Sequence, residues 1–186
     1  MIRFAFIRAL FLASPLALFL AQPVRALDLE NTLYLDLKDG RVVIEMLPDL
    51  APVHVARIKE LARAGFYDGI VFHRVIAGFM AQTGDPTGTG SGGSGQKLKA
   101  EFNSAPHLRG TVSMARSMHP NSADSQFFIV FERAAHLDRQ YTAWGRVTEG
   151  MQFVDNINDV SQARDGIIDD PDKIIRLQVA ADVAED

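Results

Sequence analysis

Cysteine is absent from this chain. Its absence excludes disulfides, thiolate catalysis and cysteine-ligated metals, and leaves the compartment open. The five histidines show neither H-x-H nor H-E-x-x-H spacing, so a zinc site has no support. No G-x-S-x-G elbow is present for a serine hydrolase. No Gly-Lys-Ser or Gly-Lys-Thr follows the glycine-rich stretch, which removes a phosphate-cradling loop. The longest apolar run, residues 9–21, falls short of the about 20 residues a membrane-spanning helix needs, and Ser14-Pro15 interrupts it.

What is present is ordinary for a globular chain. A length of 186 residues suits one domain with a sizeable core, and 23% charged against 47% apolar residues is a usual balance. The first 26 residues differ: they carry Arg3, Arg8 and Arg25, no acidic residue, and the apolar run. Val24-Arg25-Ala26 offers a small residue at a cut position, which predicts a leader over 1–26, removed on export to the periplasm, and a domain over 27–186. The alternative is an uncleaved membrane anchor. Taking those three arginines from 19 basic residues leaves 16 against 23 acidic, a net charge of −7. That balance disfavours nucleic acid and anionic membranes as partners.

Along the chain, Leu33, Leu35 and Leu37 alternate with polar residues, the period of a strand. Asp39-Gly40 signals a hairpin turn, and residues 41–46 return as a second strand. Pro52 suits the first turn of a helix whose apolar stripe is Val55, Ile58, Leu61 and Ala62, with Gly65 as its stop. His54 lies off that stripe and is expected to be exposed. Residues 84–95 form a long glycine-rich loop in which Gly88, Gly90 and Gly93 fit G-x-G-x-x-G, but no amphipathic helix follows, so a dinucleotide site is not supported. Strands are predicted over 110–115, 126–131, 141–147 and 174–179, a second helix over about 151–159, a solvated acidic loop over 161–172 and a mobile tail over 180–186. Many short strands with two helices read as mostly β, a barrel or a sandwich.

The chain is organised around residues 71–85, in which two short apolar runs are split by Ala77-Gly78. If both are strands, Phe72, Arg74 and Ile76 share one face and Val71, His73 and Val75 the other. An arginine in such a run is costly to bury unless it is paired or working, so Arg74 sits at the rim of a pocket or in a buried ion pair. His73, on the opposite face, reads as a structural histidine.

Phe72-His73-Arg74, then Gly78-Phe79-Met80-Ala81-Gln82 and Gly84-Asp85, resembles the signature of the cyclophilin family of peptidyl-prolyl cis-trans isomerases. Val112-Ser113-Met114-Ala115-Arg116 and Ser125-Gln126-Phe127-Phe128-Ile129 resemble its next two blocks, in family order and spacing, and the similarity runs from about Thr32 to about Val179. The resemblance implies a closed antiparallel barrel of eight strands capped by two α-helices, with the glycine-rich loop as a flexible flap beside a groove. It implies rotation about X–Pro amides in unfolded or extended polypeptides, by a monomer that needs no cofactor and no metal.

By the same resemblance, Arg74 is the donor to the twisted amide, and Gln82 and Gln126 position it and the substrate carbonyl. Phe79, Met80, Phe128 and Leu137 line the proline socket, and Tyr141 closes it. Ala115 and Arg116 border the extended peptide. Arg116 stands where many relatives have Asn. His136 falls where eukaryotic members have Trp and bacterial ones often have Phe, which predicts weaker inhibition by cyclosporin. Outside that resemblance, the apolar residues would read as core and the glutamines as surface amides. A rival from another class is a peptide-binding chaperone module whose turnover is incidental; a third is a structural partner in a larger assembly.

Overall fold

The computed structural model describes residues 27–157 and 171–183. The expected leader, the acidic loop up to residue 170 and the last residues of the tail lie outside them. The first hairpin forms as its alternation predicts: β1 (Thr32–Leu37) buries Leu33, Leu35 and Leu37 and pairs antiparallel with β2 (Gly40–Met46), Leu37 opposite Gly40. Helix α1 (Pro52–Arg63) begins on Pro52 and buries Val55, Ile58, Leu61 and Ala62. His54, expected outside, is fully buried. Its Nδ1 lies 2.6 Å from Glu101 Oε2, so a charged partner from a distant loop makes burial tolerable.

The remaining strands are β3 (Arg74–Ile76), β4 (Met80–Thr83), β5 (Thr111–Met114), β6 (Phe127–Val130), β7 (Ala143–Glu149) and β8 (Arg176–Val179). The second helix, α2 (Met151–Asp155), has Asn156 as its C-cap, short of the expected end near 159, and residues 158–159 of that expectation lie outside the described residues. All eight strands belong to one antiparallel sheet in the order β3-β4-β6-β5-β7-β2-β1-β8.

The closed barrel expected from the resemblance is not what forms: β3 and β8 are unpaired edges of a curled half-barrel. The segments preceding them meet instead, through a bridge between Val71 and Lys173, Phe72 N–H to Asp172 O at 2.8 Å and Gly69 N–H to Ile174 O at 2.8 Å. The ladder is interrupted at residues 72–73, between the bridge at Val71 and β3, and Phe72 lies in the core there. Phe72 and Val75 are therefore both core, while Arg74 and Ile76 alternate out to the other face.

Strand β6 is buried on both faces. Phe127 and Ile129 join the large core between the sheet and α1, whereas Phe128 and Val130 join a smaller cluster on the outer face. That outer cluster is the foundation of the site.

Candidate active site

A single register row crosses the sheet. Arg74 on β3 opposes Gln82 on β4, Gln82 opposes Phe128 on β6, and Phe128 opposes Ser113 on β5. Directly opposed residues share a face, so the row sets a cation, an amide and a ring side by side. Arg74 is half-buried and its Nη1 donates to Gln82 Oε1 at 3.4 Å. Gln82 Nε2 donates to Gln126 Oε1 at 2.8 Å. Gln126 Nε2 donates in turn to the carbonyls of Gly90 (3.0 Å) and Gly92 (2.8 Å). Each amide is oriented by its neighbour, and Gln82 takes one donor of the guanidinium.

The anchor of that relay is the glycine-rich loop, which is wrapped rather than loose. Asp85 accepts from Thr87 N (2.7 Å), Thr87 Oγ1 (2.8 Å), Gly90 N (2.6 Å) and Gly92 N (3.1 Å). Burial alone would raise the Asp85 carboxyl; these donors outweigh it and bring it down to about 2. Asp124 holds the loop's far end through Ser94 N (2.8 Å), Ser94 Oγ (2.5 Å) and Gly95 N (3.1 Å).

Beside the row lies an apolar cluster, the expected socket. Met80, Phe128 and Leu137 are buried in it, with Phe79, Ala115 and Tyr141 packed against them. The Phe79 and His136 rings are 5.4 Å apart, and Tyr141 meets Phe128 edge to face at 5.9 Å. His136 and Leu137 come from one 3-10 turn, Ala135–Leu137. All the residues singled out from the sequence thus converge on this face. Ala115 N–H is taken by Gln126 O at 2.9 Å, so it is not a free donor for a peptide. Arg116 turns back onto the protein, donating to the carbonyls of Gln140, Ser117 and Met118. Next to the socket, Gln82, Gly90, Ala115, Arg116 and Gln126 border a cavity of about 360 Å³.

Sequence reasoning missed what stands behind Phe128. His107 and Ser113 are both completely buried. His107 Nε2 lies 3.0 Å from Ser113 Oγ, and Nδ1 lies 3.2 Å from Asp138 Oδ1. A carboxylate can only accept, so Nδ1 carries the proton and Ser113 donates to Nε2. Burial holds the His107 pKa below its ordinary value, against the pull of Asp138. The imidazole stacks on Phe128 at 6.2 Å and 21°. A buried serine has no access to substrate, so the array backs the ring rather than attacking anything. No spacing could have found it: Asp138 lies 31 residues from His107, and only the sheet brings them together.

Comparisons with known proteins place this geometry. A family model described as "Cyclophilin type peptidyl-prolyl cis-trans isomerase/CLD" matches residues 32–179. A probable peptidyl-prolyl cis-trans isomerase of Brucella suis is 50% identical over 193 aligned positions, covering 97% of each chain. Peptidyl-prolyl cis-trans isomerase B of Bacillus subtilis is 44% identical, over 69% of this chain and 91% of its own. Among solved structures, a cyclophilin from Hirschia baltica superposes with a TM-score of 0.76 at 29% identity, covering 86% of this chain and 77% of its own. A cyclophilin-type isomerase of Cryptosporidium parvum, crystallised in the presence of the dipeptide Ala-Pro, gives 0.75 at 27% identity, over 80% and 98% of the two chains.

Proposed function

The chain belongs to the cyclophilin-type peptidyl-prolyl cis-trans isomerases, and from that premise we propose that Arg74 is the group that lowers the rotational barrier. Rotation about X–Pro must break amide resonance, a barrier of about 18–20 kcal/mol. At the top the amide nitrogen is pyramidal and carries a lone pair, which neither planar state offers. A donor fixed beside that nitrogen binds the twisted state selectively. Arginine stays charged and presents a rigid fork of donors. One such hydrogen bond in a partly dry site supplies a few kcal/mol, on the order of 10²–10³ in rate.

The observation that carries this reading is the juxtaposition of Arg74, oriented by Gln82, with the socket of Phe79, Met80, Phe128 and Leu137. The proline ring seats against Phe128 between Phe79 and Tyr141, while His136 flanks Phe79 at the rim. Ala115, Arg116 and Gln126 border the path of the flanking peptide. The substrates are proline-containing unfolded or extended polypeptides, and the protein acts on them as a monomer, with no nucleic-acid partner given its acidic balance. We also propose that residues 1–26 are a leader removed on export to the periplasm, so that the mature chain begins at Leu27 and keeps no stable membrane association. The leader's arginines and short apolar run support that reading. N-terminal sequencing of protein from the periplasmic fraction tests it, and a start at Met1 refutes it.

The isomerisation test is exchange NMR on an X–Pro peptide with mature protein and with Arg74→Ala. A fast wild type and a loss of about 10² or more in the variant are expected. Peptide binding without acceleration in either protein sinks the catalytic reading and supports a chaperone role instead.

A further inference from the structure

Arg116 borders the groove, yet four of its five guanidinium N–H donors go to the protein's own backbone. Nε and Nη2 both donate to Gln140 O, at 3.2 and 3.0 Å. Nη1 donates to Ser117 O at 2.9 Å and to Met118 O at 3.2 Å. Two rings meet it as well: the guanidinium carbon lies 4.5 Å from the Tyr141 ring centroid and 5.8 Å from that of Phe102. A cation placed over a ring is attracted by the ring's negative face, and the planar fork adds direction to that attraction.

The turn it grips needs gripping. Arg139 has φ +59, the only positive φ of a non-glycine residue among the described residues. Such a conformation costs free energy and persists only where the surroundings over-determine it. The turn's own bonds from Gln140 N–H (3.0 Å) and Tyr141 N–H (3.2 Å) to Leu137 O constrain it, and Arg116 adds to them at the Gln140 carbonyl. The residue after it is Tyr141, whose ring closes against Phe128 at 5.9 Å and 79°. The clamp therefore runs from Arg116 through the strained turn to the wall of the socket.

We propose that Arg116 is a positioning residue, which sets the aperture of the proline socket by clamping Tyr141 against Phe128, and that it does not itself hold the peptide. This rests on the reading of the Phe128 cluster as the proline socket. The effect is on binding: loosening Tyr141 widens the socket without removing the Arg74 donor, so affinity falls and the bound-state rate persists.

The test is NMR exchange on an X–Pro peptide, giving Kd and bound-state rate separately, for wild type, Arg116→Ala, Arg116→Lys, Tyr141→Leu and the Arg116→Ala/Tyr141→Leu pair. Arg116→Ala is expected to weaken Kd about fivefold, the scale of the cation–π contact with Tyr141, with the bound-state rate within about twofold. Arg116→Lys keeps a cation over the ring and is expected to recover part of the loss. In the Tyr141→Leu background the same Arg116→Ala change is expected to have less than about a twofold effect, because the clamp has nothing left to hold. Equal losses in both backgrounds overturn the proposal, since they mean that Arg116 grips the peptide directly. An unchanged Kd in Arg116→Ala overturns it too. Phe128→Ala separates the premises: unchanged binding there removes the socket reading itself, whereas weakened binding alongside additive Arg116 and Tyr141 effects removes only the clamp.

Discussion

Gln82 faces Arg74 directly across the β3–β4 ladder and accepts from its guanidinium at 3.4 Å. The pairing matters because an arginine side chain has many rotamers and only a few aim at a peptide nitrogen. Gln82 selects among them, and Gln126 and the glycine-rich loop hold Gln82 in turn.

Replacing Gln82 by leucine keeps the bulk and removes the acceptor. The bound-state isomerisation rate is expected to fall about tenfold, since a misplaced donor stabilises the twisted amide less. Peptide affinity is expected to stay within about threefold, because the socket is untouched. A large affinity loss with an intact rate would contradict the positioning role.

Glu101 caps α1 from a loop 47 residues away from His54. It accepts from Val53 N (3.1 Å) and His54 N (3.0 Å), while Ala51, at the helix's own cap position, contributes no side-chain bond. A carboxylate on the first turn also suits the helix dipole. Glu101→Ala is expected to cost about 1–2 kcal/mol of stability by urea titration. Glu101→Gln, which keeps an acceptor, is expected to cost less.

Acid is expected to weaken the fold before it protonates the carboxylates. Burial lowers the pKa of His73 and of His107 from 6.5. A depressed folded pKa means that the unfolded chain binds protons first, so the stability is present above pH 6.5 and declines as pH falls below it. Urea midpoints at pH 7.5 and 5.5 should differ, and His107→Gln should reduce the difference. Asp85, at about 2 against an ordinary 3.8, adds a second loss only between those values.

Gly84 ends β4 with φ +89, and a Cβ there would lie 2.4 Å from Ser125 O. The neighbour is backbone and cannot swing away. Gly84→Ala is expected to destabilise by more than about 2 kcal/mol, combining left-handed strain with a clash. Gly95, φ +86 with open space around it, is expected to lose only about 1 kcal/mol on the same substitution. Thermal unfolding followed by Trp144 fluorescence compares the two.

The local arguments were legible because they depend on neighbours in the chain. The leucine alternation of β1, the proline start and apolar stripe of α1 and the two runs around Ala77-Gly78 each rest on periodicities of two or 3.6 residues. The site residues were legible only as a pattern of blocks resembling a family, since composition and spacing left Arg74 between rim and ion pair. Tertiary structure decided the rest. It buried His54 by bringing Glu101 to it, and set Asp138, His107 and Ser113 in line behind Phe128. It left β3 and β8 unpaired with each other, as the two edges of the sheet, and it folded Arg116 back onto Tyr141. For the buried histidines the physical reason is common. Side-chain periodicity says which face a residue occupies, whereas burial of a polar group depends on which partner the sheet register carries to it from far along the chain.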